Sequence, residues 1–367
     1  MQCLVAINPN KKDLITYKDL GTVEFGSVKV LFGVIELEQP VFDSEDASNR
    51  EYVLLRVNTF SCNYRDKAFL LENYNKLKNS NRVFVPFGSE FSAEVIAIGA
   101  DVRNFQVGDR VMPNCSYPDS GVNGVLPGVA TNFASLGWLR IHNKKLIKVS
   151  KSLSNIEAAS FSLGSQTASG MIRRSGILSD GGTPLVLSAR SATSLFIIQQ
   201  LISYGFTPIC LSTTDWSEVE LKRIYPAHVE RVSNDSVIND RLRNKFTHVF
   251  DPFFDMNIGK AVNYLKTNGT YITCGIRDQH PLLSIDTPNK VEPIVREALA
   301  LSIVKNISLL GNCLGTTEDL ERALKIQSRT GIGPIIDKEY KIMQGTNFIQ
   351  HSFFNSRRFG KCVLVYE

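Results

Sequence analysis

The chain has 367 residues, of which 43% are hydrophobic and 21% charged, with a formal net charge of +5. It is long enough for two domains with cores of their own, and its composition is that of an ordinary soluble globular protein. The positive charge is modest and dispersed, which helps attract an anionic cofactor or substrate and argues against a nucleic-acid partner; no apolar stretch reaches bilayer-spanning length and the N-terminus lacks a signal-peptide pattern, so a cytoplasmic protein with no membrane partner is expected.

Up to about residue 150, short apolar or alternating runs at Val28 to Ile35, Tyr52 to Thr59, Ser92 to Ile98 and Leu146 to Val149 are separated by Gly, Pro, Asn and Asp turns. That texture predicts a compact, mostly β domain. The polar stretch Glu72 to Arg82 reads as an exposed loop or short helix, and Asn114 to Phe133 carries no readable pattern. The seven cysteines, Cys3, Cys62, Cys115, Cys210, Cys274, Cys313 and Cys362, are odd in number and none stand at C-x-x-C spacing. Neither a disulfide framework nor a structural zinc site is expected, and most of the thiols are read as small buried hydrophobes.

From Ser154 the texture changes. Ser154-Asn155-Ile156-Glu157 reads as a helix start with an acid in its first turn, and Thr167 to Arg174 continues as a second helix towards Gly176. Pro184 to Ser188 is an apolar strand bounded by a Gly pair, Ser194 to Tyr204 repeats its apolar residues at helical spacing until Gly205, and Pro208 to Ser212 is the next strand. Further strands at Thr247 to Asp251, Thr270 to Cys274 and Ile307 to Leu310, with a helix near Ile258 to Leu265, complete an α/β alternation that predicts a doubly wound parallel sheet. Pro334 to Asp337 and Lys361 to Val365 return to short strands, so the chain is expected to re-enter its first domain. The expected domains are 1–150, completed by 331–367, and 151–330.

In a strand–turn–helix–strand unit, the first turn aims backbone N–H groups and the positive helix end at a pyrophosphate. Here that turn is Ser188-Ala189-Arg190-Ser191-Ala192-Thr193-Ser194, without the glycines of the usual G-x-G-x-x-G pattern. Small side chains still permit close approach, and Ser191, Thr193 or Ser194 can cap the helix; a plain capped helix reads the same way. Arg190 either grips an anion or pairs with a surface carboxylate. The second strand ends Ser212-Thr213-Thr214, its acid Asp215 comes late, and Lys222 and Arg223 follow on a predicted helix. Hydroxyls and bases in place of an early acid favour a 2′-phosphate, so NADPH is the expected cofactor over NADH; the Lys-Arg pair reads otherwise as a solvated helix face. Asp251 and Gly275, at strand ends, fit ligand binding at the carboxyl edge of the sheet.

Gly88-Ser89-Glu90-Phe91-Ser92-Ala93-Glu94-Val95, Ile98-Gly99 and Phe105-Gln106-Val107-Gly108-Asp109-Arg110-Val111 resemble the signature of the medium-chain dehydrogenase/reductase superfamily, closest to its quinone-oxidoreductase-like and enoyl-reductase-like branches. Gly269 to Gly275, the Pro334 segment and Arg358-Phe359-Gly360-Lys361 match as well, so the resemblance covers nearly the whole chain. It implies a GroES-like β-rich domain plus a Rossmann domain, NAD(P)H in the cleft between them, and a homodimer. The candidate cofactor residues are then Thr167, Ser188, Ala189, Arg190, Ser191, Ala192, Thr193, Ser212, Thr213, Thr214, Asp251, Gly275 and Lys361.

The sequence departs from the zinc-dependent alcohol dehydrogenases of the same superfamily. Asn63 stands where their ligand cysteine precedes an aspartate, Cys62 is one place out of register, Gly88-Ser89-Glu90 replaces Gly-His-Glu, and Ser165 replaces the third ligand. No metal is therefore expected. Without a Lewis acid an alcohol hydroxyl is not activated, whereas reducing a conjugated C=C needs only hydride and a proton donor. Asn63-Tyr64-Arg65-Asp66-Lys67 resembles the Asn-Phe/Tyr-Arg-Asp segment of enoyl reductases, at a helix start that faces the nicotinamide in that family. Tyr64 is the candidate proton donor or a core ring; Arg65 and Lys67 stabilise an enolate oxygen or bridge to acids; Asn63 orients substrate or the cofactor amide. Tyr74 and His142 rank lower. The expected substrate is a small molecule or peptide bearing an activated double bond. The Ser-Ala-Thr-Ser-Leu-Phe helix start also resembles a bacterial subgroup that includes dehydroalanine reductases of lanthipeptide biosynthesis. A zinc alcohol dehydrogenase with unusual ligands and a non-catalytic NADPH- or RNA-binding protein are the remaining alternatives.

Overall fold

The computed structural model describes residues 1–232, 238–276 and 291–366. In chain order its elements begin with β1 (Gln2–Ile7), β2 (Lys18–Phe25), β3 (Val28–Glu36), β4 (Tyr52–Ser61), α1 (Tyr64–Lys78), β5 (Phe84–Val85), β6 (Glu90–Ile98), β7 (Arg110–Pro113), β8 (Trp138–His142), β9 (Leu146–Lys148) and α2 (Asn155–Ala158). They continue with α3 (Ser162–Ser175), α4 (Ile177–Asp180), β10 (Pro184–Val186), α5 (Ala192–Ser203), β11 (Ile209–Ser212), α6 (Glu218–Lys222), β12 (His228–Arg231), β13 (Phe246–Asp251), α7 (Phe254–Tyr264) and β14 (Leu265–Thr273). The last are α8 (Val291–Lys305), β15 (Ser308–Gly311), α9 (Thr317–Thr330), β16 (Ile336–Lys341), α10 (Gly345–Phe354) and β17 (Lys361–Val365). They form two compact units: Met1–Leu163 with the stretch from Ile336 onward, and the described residues between Gly164 and Ile335.

The first unit is built on a four-stranded sheet, β2-β3-β1-β5, and a seven-stranded sheet, β16-β17-β4-β6-β7-β9 with β8 also on β4. Strand β4 is central because its residues are apolar on both faces: Val53, Leu54, Leu55, Val57 and Phe60 are all buried. Phe60 packs edge-on to Phe87 and Phe348 and stacks on Tyr366, which ties α10 and the chain's last strand into this core. Strand β17 lies antiparallel to β4 and parallel to β16, so the C-terminal stretch completes the unit. The segment Glu72 to Arg82, read as an exposed loop or short helix, is helical up to Lys78 and only partly exposed. Residues 72–78 are the second half of the continuous helix α1, with Tyr74 and Leu77 buried and Tyr74 Oη accepting from Leu31 N at 3.2 Å. The polar residues around those two hide a helical apolar spacing too sparse to register from sequence.

The second unit is a six-stranded sheet in the order β12-β11-β10-β13-β14-β15, with every pairing parallel. Numbered within the unit this is 3-2-1-4-5-6, the doubly wound dinucleotide-binding order, which reverses direction between β10 and β13. Its strands read as continuous apolar runs because both faces are covered: Leu185, Val186, Val249, Phe250 and Ile272 are each fully buried. Some boundaries shift from expectation: α7 begins at Phe254, β14 begins at Leu265, and β16 begins at Ile336 and runs to Lys341. All seven cysteines are free thiols, five of them buried.

Candidate active site

Helix α1 of the first unit starts at Tyr64, and its first turn is locked by Asp66, whose carboxylate accepts from Asn63 N at 2.8 Å and from Ser89 Oγ at 2.8 Å. Arg65 Nη1 lies 2.9 Å from the other oxygen. Asp66 is buried, and burial pushes its carboxyl above the usual range against the pull of Arg65 and these hydrogen bonds. Locking the turn fixes the direction in which Tyr64 and Lys67 leave the helix. The Lys67 ammonium stands 5.4 Å from the Tyr64 ring centre and the Arg358 guanidinium 5.9 Å from it, so two cations lie near the ring.

Beside this turn is a buried cage that the sequence did not disclose. Lys361, 2% exposed, donates to Asn63 Oδ1 at 2.6 Å, Cys62 O at 3.0 Å, Glu90 Oε2 at 3.0 Å and, at 3.4 Å, Ser61 Oγ. Glu90 is fully buried; its Oε2 also accepts from Asn63 Nδ2 at 3.2 Å and its Oε1 from Leu163 N at 2.9 Å. Both ends of the Asn63 amide are thus engaged within the unit. Lys361, expected on the cofactor, has its ammonium hydrogen-bonded within this cage. The sequence signal that pointed here was Gly88-Ser89-Glu90, which placed Glu90 at a metal-site position without naming its partner. Tyr74 and His142 have structural surroundings: Tyr74 lies in the core, and His142, 6% exposed, packs edge-on to the Tyr52 ring and accepts from Lys144 N through Nδ1.

In the second unit the strand order brings the ends of β10, β11, β13 and β14 to one edge, and with them Ser188–Thr193, Ser212–Thr214, Asp251 and Gly275. Ser188 takes φ +47°, a left-handed conformation that favours glycine, so the backbone bend of the usual fingerprint survives although its glycine does not. Ser191 caps α5 by accepting from Ser194 N, and the first-turn N–H groups of the helix point to this edge. Gly275 passes so close to the neighbouring loop that a Cβ there would lie 2.6 Å from Pro252 O.

Arg190 Nη2 is 2.5 Å from Glu220 Oε1, and the guanidinium lies over the Trp216 ring at 5.5 Å. Asp215 is engaged by Arg231 at 2.8 and 3.0 Å, while Lys222 and Arg223 are exposed on and just after α6. Asp251 faces inward, accepting from Tyr271 Oη at 2.7 Å, Asn257 Nδ2 at 2.8 Å and Phe253 N at 2.9 Å. Burial pushes its carboxyl up to about 6 despite these donors. Asn257 also donates to Ser188 Oγ at 3.3 Å, so Asp251 acts on the turn through an intermediary. Thr167, on α3, is 5% exposed.

Residues 49–143 match the alcohol dehydrogenase GroES-like domain family. Over 328 residues the chain is 23% identical to an acryloyl-coenzyme A reductase of Metallosphaera sedula, covering 83% of this chain and 91% of the relative. It is 24% identical to the trans-enoyl reductase RAP2 of Pyricularia oryzae, over 70% of each chain. Among solved structures the quinone oxidoreductase of Coxiella burnetii superposes with a TM-score of 0.65 at 18% identity, over the full length of both chains. Among the described residues no helix is long and apolar enough to cross a membrane.

Proposed function

We propose that the chain is a member of the medium-chain dehydrogenase/reductase superfamily that reduces an activated carbon–carbon double bond with hydride from NADPH and without a catalytic metal. The observation that carries this reading is the ammonium of Lys361 on the Glu90 carboxylate. At the positions matched to zinc ligands the chain offers the Asn63 amide and the hydroxyls of Ser89 and Ser165, none of them a thiolate or imidazole. The one anionic donor among those positions, Glu90, is already neutralised by a side-chain cation that also holds the Asn63 oxygen. A divalent ion would meet like charge there, so these residues do not fit catalytic zinc. Alcohol oxidation then lacks its Lewis acid, while conjugate reduction does not require one.

The second unit fits a dinucleotide. The strand order, the left-handed Ser188 turn and the start of α5 suit a pyrophosphate, and the absence of an early acid after β11 suits a 2′-phosphate. When bound, the nicotinamide supplies hydride to the β-carbon of the substrate. The chain's own residues supply the rest: Tyr64 Oη gives the proton taken up at the α-carbon, and Lys67, held beside the ring, keeps positive charge near the oxygen that gains negative charge in between. The names of the reductase relatives support an α,β-unsaturated carbonyl substrate. The test is titration with NADPH and NADH, then NADPH oxidation with a quinone, an enal, an enoyl thioester and a dehydroalanine peptide. Selective NADPH binding with turnover of one alkene class is expected; binding of neither nucleotide sinks the enzyme reading.

A further inference from the structure

At the residue next to Lys361 in β17, and with Arg358 close enough to act on its thiol, the first unit brings three metal-binding side chains together from three elements. Asp337 lies on β16, His351 on α10 and Cys362 on β17, and one oxygen, nitrogen and sulfur from them lie within 4.8 Å of one another. His351 Nε2 is 2.7 Å from Asp337 Oδ2. The surroundings already orient this pair as the outer partners of a metal site do: the Tyr340 hydroxyl bonds His351 Nδ1 at 2.5 Å, which leaves Nε2 facing the carboxylate, and Phe359 N donates to Asp337 Oδ1 at 3.2 Å. Cys362 is 1% exposed, while the Asp337 and His351 side chains are 22% and 16% exposed, so an ion can reach the site from solvent and find the sulfur at its floor.

We propose that Asp337, His351 and Cys362 form a binding site for a divalent transition metal of the zinc type, with ligands distinct from the residues of the neighbouring Glu90–Lys361 cage. Oxygen, imidazole and thiolate together are the donor set of zinc, and three protein ligands leave a fourth tetrahedral position for water. Ligand atoms around tetrahedral zinc are separated by roughly 3.3–3.8 Å, given bond lengths of about 2.0–2.3 Å, so binding requires the histidine–aspartate contact to open slightly and the thiol to close in. The proton ledger balances without another reactant. The imidazole keeps one proton, moved to Nδ1 and donated to the Tyr340 oxygen, and the proton released to water is that of the thiol. Adjacent strands and the helix that packs on them become tied together, so occupancy stabilises the unit by linkage.

The test is titration of the full-length, chelator-treated protein with Co²⁺ and then Zn²⁺. One equivalent of Co²⁺ is expected to give a thiolate-to-cobalt charge-transfer band and tetrahedral visible bands, both displaced by Zn²⁺, with a rise in Tm. Cys362→Ser should abolish the charge-transfer band and Cys62→Ser should keep it. Asp337→Asn, on a partly exposed side chain, should weaken Co²⁺ at least about tenfold with the apo fold unchanged by circular dichroism, and Tyr340→Phe should weaken it about 10–100-fold as loss of an outer partner does. Failure of the wild type to bind an equivalent overturns the proposal, as does a band that survives Cys362→Ser or affinity that is indifferent to Asp337→Asn.

Discussion

The Lys361 ammonium lies 3.0 Å from the Glu90 carboxylate, with the lysine side chain 3% exposed and the glutamate fully buried. Removing one partner of a buried pair strands the other charge, which costs about 3–5 kcal/mol, whereas neutralising both costs far less. Lys361→Met should therefore unfold at markedly lower urea than the wild type, and Glu90→Gln/Lys361→Met should recover most of the loss. Additive losses in the double variant would show that the two residues act independently.

The same pair bears on metal dependence. Exhaustive chelation is expected to leave NADPH-dependent turnover unchanged, because the carboxylate and amide at the metal-site positions are held by an ammonium. Metal at the Asp337 site is removed by the same treatment, and its loss should show in Tm, not in turnover. Activity that disappears on chelation and returns with zinc would reverse the mechanistic assignment.

Tyr64 is argued to deliver the proton. Tyr64→Phe keeps the ring that Lys67 and Arg358 approach and deletes only the hydroxyl. A kcat lower by about 10²–10⁴ is expected for loss of a general acid, with the Kd for NADPH unchanged. Unaltered kcat would return Tyr64 to a packing role.

Arg190 is paired with Glu220, yet belongs to the first turn and donates to Asp215 O, just past the end of β11. If it turns to a 2′-phosphate, Arg190→Ala should weaken NADPH at least about tenfold and NADH little, since a charge-assisted contact contributes about 1.5–3 kcal/mol. Glu220→Gln, which frees the guanidinium, should strengthen NADPH. Equal losses for both nucleotides in Arg190→Ala would move the arginine to the pyrophosphate or to a structural task.

Asp251 gives a pH signature. Its folded-state pKa, about 6, lies above the ordinary 3.8, so its protonated form is the one the fold favours. The stability it contributes is complete below about pH 4 and is lost as pH rises through about 6, amounting to about 1–3 kcal/mol. Asp251→Asn keeps acceptor and donor atoms but does not titrate, so its urea midpoint should gain on the wild type between pH 4 and 7. Parallel midpoints across that range would remove Asp251 as the cause.

Much of the framework was legible because it is local. The βαβ unit from Pro184 to Ser212 follows from apolar periodicity interrupted by Gly181-Gly182 and Gly205, and the Ser154 cap follows from a serine three residues before a glutamate. The continuation of α1 past Glu72 stays open between loop and short helix in the sequence because its apolar positions are few, and the burial of Tyr74 and Leu77 shows them to be a helix face.

By itself the sequence determined the two kinds of domain, five of the six strands of the second sheet, the glycine-free turn and the lack of cysteine and histidine at the positions that resemble zinc-ligand positions. Tertiary structure decided what those residues face. Lys361 meets Glu90 across 271 residues, Arg190 meets Glu220 across 30, and the Asp337, His351 and Cys362 donors converge from three separate elements. Periodicity reports only which neighbours along the chain share a face; a buried charge finds its counter-charge through the strand pairing of β17 with β4 and β4 with β6, and that pairing is fixed by the packing of the whole core.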